Sequence, residues 1–238
     1  SHGLATGYLL PTDGMAALKK HKIKLYVISR PGFGNSDPAP SGNTVQDNAD
    51  AINSLAKHLG ITKWVTMAQG AGALPLLRAQ STPDSAICGI VCIGVYFAFT
   101  NKMRFQDYTD LKRVILRLAS ASPTLAELMG KITYRAMRAN GPEFIVKSMF
   151  TDSEVNRAVL KDADCRAFVR AAYSMLCTHK HYAFTAELAL MTADWSRDLQ
   201  ACDIPVRFLH GSKDPENPLE RVQSYLKKRE NMDLDLIE

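Results

Sequence analysis

Attack on a carbonyl needs a hydroxyl or thiol, an imidazole to take its proton and an acid to orient that imidazole. It also needs two backbone N–H groups to hold the developing oxyanion. Residues Ala68-Gln69-Gly70-Ala71-Gly72 have the form of the turn that presents such a nucleophile. The apolar run Lys63–Ala68 has the character of a buried strand, and Ala71–Gln80 has the spacing of a helix. A G-x-S-x-G elbow takes this strand–turn–helix form, with its serine at a strained apex and small neighbours that permit close packing. Here the apex is Gly70, which has no side chain with which to attack. Glycine also avoids the strain any other residue bears at such an apex, about 1–3 kcal/mol.

No other side chain replaces the missing hydroxyl. Gln69 is not a nucleophile, Thr66 lies inside the strand, and Ser36 belongs to a loop where serine closes a turn. His58 comes near the end of a helix, where a cation is favoured, and His179 and His181 fall in a purely helical stretch. The five cysteines, Cys88, Cys92, Cys165, Cys177 and Cys202, are an odd number without C-x-x-C spacing. They are expected to be free thiols of a reducing cytoplasm, with neither a metal site nor a cofactor.

The elements that must position these residues alternate between strand and helix, which predicts a mostly parallel sheet covered on both faces. Strands are expected at Lys22–Ser29, Lys63–Ala68, Ile87–Val95, Val206–His210 and Met232–Ile237. Helix Val45–Leu59 has Thr44 as its N-cap and Gly60 as its stop, and its apolar residues keep helical spacing. Helix Leu219–Arg229 precedes the last strand, and the Lys227-Lys228-Arg229 cluster at its end suits the helix dipole better than nucleic acid. Between Phe99 and Ser196 the pattern is helical throughout, near 105–119, 123–137, 142–150, 154–162 and 165–193.

The bulk numbers fit one domain with an insertion. A chain of 238 residues can bury a sizeable core, and 46% hydrophobic with 22% charged residues is ordinary globular composition. The formal charge of +5 is mild, and the basic residues are scattered along the chain. No apolar stretch reaches the roughly 18 residues that span a bilayer, so no membrane role is expected. No signal peptide is visible in these residues.

Four ordered landmarks resemble the α/β-hydrolase superfamily. His2-Gly3-Leu4 stands as the turn after its first central strand, and Arg30-Pro31-Gly32-Phe33-Gly34-Asn35-Ser36-Asp37-Pro38 as its R-G-x-G-x-S-D loop. The A-Q-G-A-G turn stands as the elbow. Gly211-Ser212-Lys213-Asp214, with Pro218 four residues on, stands as the strand-end loop of the acid. The resemblance implies an α/β-hydrolase fold, with a truncated core at 1–98 and 197–238 and a helical cap at 99–196. It implies Gly70 at the lost nucleophile position, Asp214 at the acid position, and the N–H groups of Leu4 and Ala71 as the oxyanion cradle. Gln69, Tyr96, Phe97 and Phe99 are expected to line the ligand site, and Met103, Tyr173, Met175, Tyr182 and Phe184 are further candidates. By the same resemblance His2 and His210 are structural members of turns. A strand before His2 and a histidine after Glu238 are expected outside these 238 residues.

Asp194-Trp195, the long cap and Arg30-Pro31-Gly32-Phe33-Gly34 also resemble hydrolase-fold domains fused to helix-turn-helix transcription regulators. That likeness implies a catalytically silent sensor or interaction module for a small apolar ligand bearing a carbonyl or carboxylate. It further implies a DNA-binding module outside these residues and a homodimer as the assembled form. Two alternatives stay open: an enzyme that uses a histidine–acid pair without a serine, and an inactivated serine ester hydrolase.

Overall fold

The computed structural model describes residues 12–38, 44–95, 105, 110–142, 144, 154–159, 161–214, 217–227 and 229–238. Four strands form one parallel sheet in the order β1 (Trp64–Gln69), β2 (Ile87–Ile93), β3 (Val206–Gly211) and β4 (Met232–Ile237). Parallel neighbours need crossovers, and helices supply them. α3 (Ala73–Gln80) joins β1 to β2, and α10 (Leu219–Leu226) joins β3 to β4. β2 reads Ile-Cys-Gly-Ile-Val-Cys-Ile, the near-continuous apolar run of a strand covered on both faces.

Local chemistry sets the helix ends. α2 (Val45–His58) opens with a capping box: Thr44 Oγ accepts from the Asp47 N–H at 3.1 Å, and Asp47 Oδ2 accepts from the Thr44 N–H at 2.8 Å. Two orphan donors are thereby satisfied reciprocally. Gly60, at φ +65°, follows its C-terminus, as expected from the sequence. α1 (Thr12–Lys20) was not anticipated from the sequence pattern.

The expected strand Lys22–Ser29 is not one. Among the described residues it belongs to no ladder, Lys22 sits in a turn at φ +55°, and Ile23, Leu25 and Val27 are exposed. Its apolar alternation is genuine, yet a strand exists only where a neighbour takes its N–H and C=O groups, and alternation does not reveal the neighbour.

Between β2 and β3 the described residues are helical: α4 (Asp110–Ala121), α5 (Pro123–Asn140), α6 (Glu154–Val159), α7 (Ala163–Cys177), α8 (Tyr182–Thr192) and α9 (Ser196–Gln200). The periodicity over 165–193 is divided by a turn in which Lys180 takes φ +58°. Most of the expected helix 142–150 lies outside the described residues. α8 is apolar nearly all round, the pattern of a buried helix, and it packs on α4, on α5 and on the turn that follows β1.

α5 and α8 approach closely at Gly130. A Cβ there would overlap Thr185 Oγ1 and lie 3.2 Å from the Thr185 backbone nitrogen. Thr185 Oγ1 donates to the His181 carbonyl, so moving it costs a hydrogen bond as well as space. We expect Gly130→Ala to destabilise the fold by about 1–3 kcal/mol. A urea midpoint unchanged from the parent chain would show that the helices separate freely.

Candidate functional site

The A-Q-G-A-G segment folds as expected at its apex. Gln69 ends β1 in extended conformation (φ −123°, ψ 139°), and Gly70–Gly72 make one tight 3-10 turn before α3. Gly70 has φ +56°, in the left-handed region that L side chains rarely occupy. Its neighbours Ala71 and Gly72 are fully buried, whereas the Gln69 side chain is exposed. The chain therefore keeps the backbone geometry of an elbow with no side chain at its apex.

Buried thiols do not supply the missing nucleophile. Cys92 stands opposite Ala68 on the neighbouring strand, and burial pushes its thiol up to about 12. Burial likewise raises Cys202 to about 11. Both are free thiols and both stay protonated at neutral pH, when the thiolate is the attacking form.

Asp214 follows β3 and holds its own loop. Its Oδ1 accepts from the Asn217 N–H at 3.2 Å and its Oδ2 from Asn217 Nδ2 at 3.1 Å. The Asn217 carbonyl in turn accepts from His210 Nε2–H at 2.9 Å. His210 is fully buried in β3, and its Nε2–H ties the strand to the Asp214–Asn217 loop.

The Arg30–Pro38 loop reaches from the core to the inserted helices. Gly32 and Gly34 have φ +83° and +54°, and a Cβ on Gly32 would stand 3.3 Å from both Tyr182 Cβ and the Ala183 nitrogen. Glycine is thus required twice over at residue 32, for conformation and for approach. The Gly34 N–H donates to the Met175 carbonyl at 3.0 Å, and His179 Nε2 donates to the Gly34 carbonyl at 3.0 Å. Ser36 closes the loop by donating to the Ser29 carbonyl, in keeping with its expected structural part.

Sequence reasoning missed one pair. Arg30 Nη2 and Glu187 Oε2 meet at 2.5 Å, with side chains only 4% and 2% exposed, and Arg30 also lies over the Phe33 ring at 4.9 Å. Glu187 sits on α8, the helix that packs on the Gly70–Gly72 turn. Among the described contacts, Glu187 Oε1 has no hydrogen-bond partner although it is buried. The available signal was a lone carboxylate inside the apolar run Ala-Phe-Thr-Ala-Glu-Leu-Ala-Leu-Met, which demands a buried cation somewhere.

The other candidates divide three ways. Leu4, Tyr96, Phe97, Phe99 and Met103 lie outside the described residues. Phe184 and Met175 are buried, Phe184 in a cluster with Phe33, Met137 and Leu176. Tyr182 is largely exposed and stacks on His181, and the Tyr173 hydroxyl donates to the Met137 carbonyl at 3.1 Å. No cluster of His, Cys, Asp or Glu able to hold a metal occurs among the described residues.

The same fold occurs in solved structures. A thermophilic esterase from Thermogutta terrifontis superposes with a TM-score of 0.67 at 19% identity, over 99% of this chain and 78% of the esterase. The enol-lactonase from Burkholderia xenovorans LB400 gives 0.69 at 15%, over 100% and 81%. A bromoperoxidase from Bacillus anthracis gives 0.66 at 17%, over 88% and 71%. No curated protein matches the chain. The profile of the serine aminopeptidase S33 family matches residues 1–233. A parallel sheet interleaved with helices, a glycine-rich elbow after β1 and that family match together place this chain in the serine aminopeptidase S33 family of α/β-hydrolase-fold proteins.

Proposed function

We propose that this chain is a hydrolase-family domain that binds a small carbonyl- or carboxylate-bearing ligand and does not attack it through a residue on the elbow. The observation that carries this reading is Gly70 at φ +56°: the apex geometry is kept and the attacking atom is absent. Backbone N–H groups survive a change of side chain, so a cradle formed with the Ala71 amide remains able to meet an oxyanion or carboxylate. The inserted helices would set which ligand enters. A regulatory role beside a helix-turn-helix module rests on Asp194-Trp195 and Arg30–Gly34 alone. Trp195 and Phe33 are both fully buried, so packing accounts for those residues by itself.

A second reading is favoured by the family match and by solved relatives named as an esterase and an enol-lactonase. In it a histidine–acid pair, with Asp214 as the acid, activates water directly as a general base. The two readings part on turnover.

The test sets the protein beside a Gly70→Ser variant, with short-chain chromogenic esters as substrates and thermal melts in esters, lactones and carboxylates. We expect no turnover by the parent protein and a ligand-dependent rise in stability, about 2.7 kcal/mol at a hundredfold excess over Kd. Gly70→Ser itself should lower stability by about 1–3 kcal/mol through its left-handed backbone, whatever it does to activity. Turnover by the parent well above buffer would sink the ligand-binding reading and leave the water-activating one. Flat melts together with no turnover would sink both.

A further inference from the structure

α4 and α5 form a hairpin joined through Ser122, and both pack on α8. Each carries two sets of apolar side chains. On α4, Leu116 and Ala119 are buried, while Leu111, Val114 and Leu118 are 73%, 52% and 38% exposed. On α5, Ala126 and Met129 are buried, while Leu128 and Ile132 are 46% and 49% exposed. The exposed residues are three and four positions apart on each helix, so each set forms a stripe. A helix that only covers a core buries its whole apolar stripe, and on these two helices the stripe is wider than the core covers. Single exposed hydrophobics need no explanation, but five large aliphatic side chains on one hairpin do.

The charge of the hairpin is as uneven as its hydrophobicity. Residues 110–140 hold six Lys/Arg against two Asp/Glu, an excess of four in a chain whose formal excess is +5. Arg117, Lys131 and Arg135 are exposed on the same two helices as the aliphatic stripes. Arg135 continues the line of Leu128 and Ile132 one turn further along α5.

We propose that this hairpin docks on an anionic phospholipid surface, with Leu111, Val114, Leu118, Leu128 and Ile132 entering the boundary between headgroups and acyl chains. An apolar face bordered by Lys and Arg is the pattern of a helix that lies in a membrane interface. The negative potential of an anionic leaflet attracts cations placed at its rim. A second copy of the chain fits the face less well. A two-fold contact sets one patch against itself, so Arg117 and Arg135 would be crowded together with their own copies, while Lys131 is already paired with Glu127 at 2.7 Å. Lying on a bilayer needs no spanning element, and no described helix is long and apolar enough to cross one. The docking concerns the outside of the insertion and does not depend on what the elbow binds.

Co-sedimentation of the full chain with vesicles of phosphatidylcholine, with and without phosphatidylglycerol, tests the proposal. We expect binding about tenfold stronger on the phosphatidylglycerol vesicles at low salt, declining as salt screens the rim charges. A Leu118→Asp/Leu128→Asp variant should lose that binding while keeping the parent melting temperature, since both sites are exposed. An Arg117→Glu/Arg135→Glu variant should lose the preference for phosphatidylglycerol. Absence of binding to the anionic vesicles overturns the proposal, and so does binding that the leucine variants leave unchanged. A dimer seen by light scattering and dissolved by Leu118→Asp would assign the face to a second copy and overturn it too.

Discussion

Glu187→Ala should lower unfolding stability by about 3–5 kcal/mol, because it removes the Glu187 carboxylate from a guanidinium that stays buried. The two side chains are 4% and 2% exposed, so water cannot take the place of the lost partner. The damage should be asymmetric. Replacing both partners by apolar residues of similar size, as in Arg30→Met/Glu187→Leu, should recover most of the loss, since removing one partner of a buried pair costs more than removing both. Urea denaturation of the three variants measures this directly. A loss under about 1 kcal/mol for Glu187→Ala would mean the pair behaves like an exposed one, where values of that size are usual. The pair also ties the loop after residues 22–29 to α8, so the variant should loosen α8 over the Gly70–Gly72 turn. Ligand-dependent stabilisation should therefore weaken together with the melt.

Trp195→Ala is expected to cost about 3–5 kcal/mol, the range for deleting a large buried aromatic. Trp195 is only 1% exposed and belongs to the main core cluster with Leu190, Leu199 and Val206. Its indole Nε1 donates to the Leu190 carbonyl at 3.3 Å, fixing the corner between α8 and α9. That carbonyl also accepts from the Ala193 N–H, so Trp195→Phe leaves it satisfied and should cost under about 1.5 kcal/mol. A phenylalanine variant as damaging as the alanine one would shift the explanation from volume to the indole hydrogen bond. Arg78 braces the same region through a two-pronged pair with Asp198, whose second contact is 2.9 Å. A loss measured at Trp195 should therefore not be added to one measured at Asp198, because contacting residues couple.

Much of the fold was legible because short-range rules write it. The N-cap at Thr44, the stop at Gly60, the buried run Ile87–Ile93 and the turn at Gly70–Gly72 each depend on a few adjacent residues. The strained apex expected at Gly70 from one motif is present as a left-handed backbone, at φ +56°. Lys22–Ser29 failed for the opposite reason. Its alternation says which side chains would share a face, but a ladder is a relation between two segments. The helical stretch 165–193 failed at Lys180, where a left-handed residue turns the chain between α7 and α8 without a glycine to announce it.

The candidate site divides along the same line. By itself the sequence determined the class of fold, the four strands that pair in the sheet, and the absence of a nucleophile at the elbow. Those follow from residue types at fixed spacing, where covalent reach and backbone sterics leave little choice. Only the tertiary structure decided that Glu187 meets Arg30, 157 positions away along the chain. It alone showed that Asp214 accepts from Asn217, and that α4 and α5 keep Leu111, Leu118 and Leu128 in solvent. Burial and pairing over such separations depend on which surfaces the packing brings together, and local periodicity marks a face as apolar without saying what covers it.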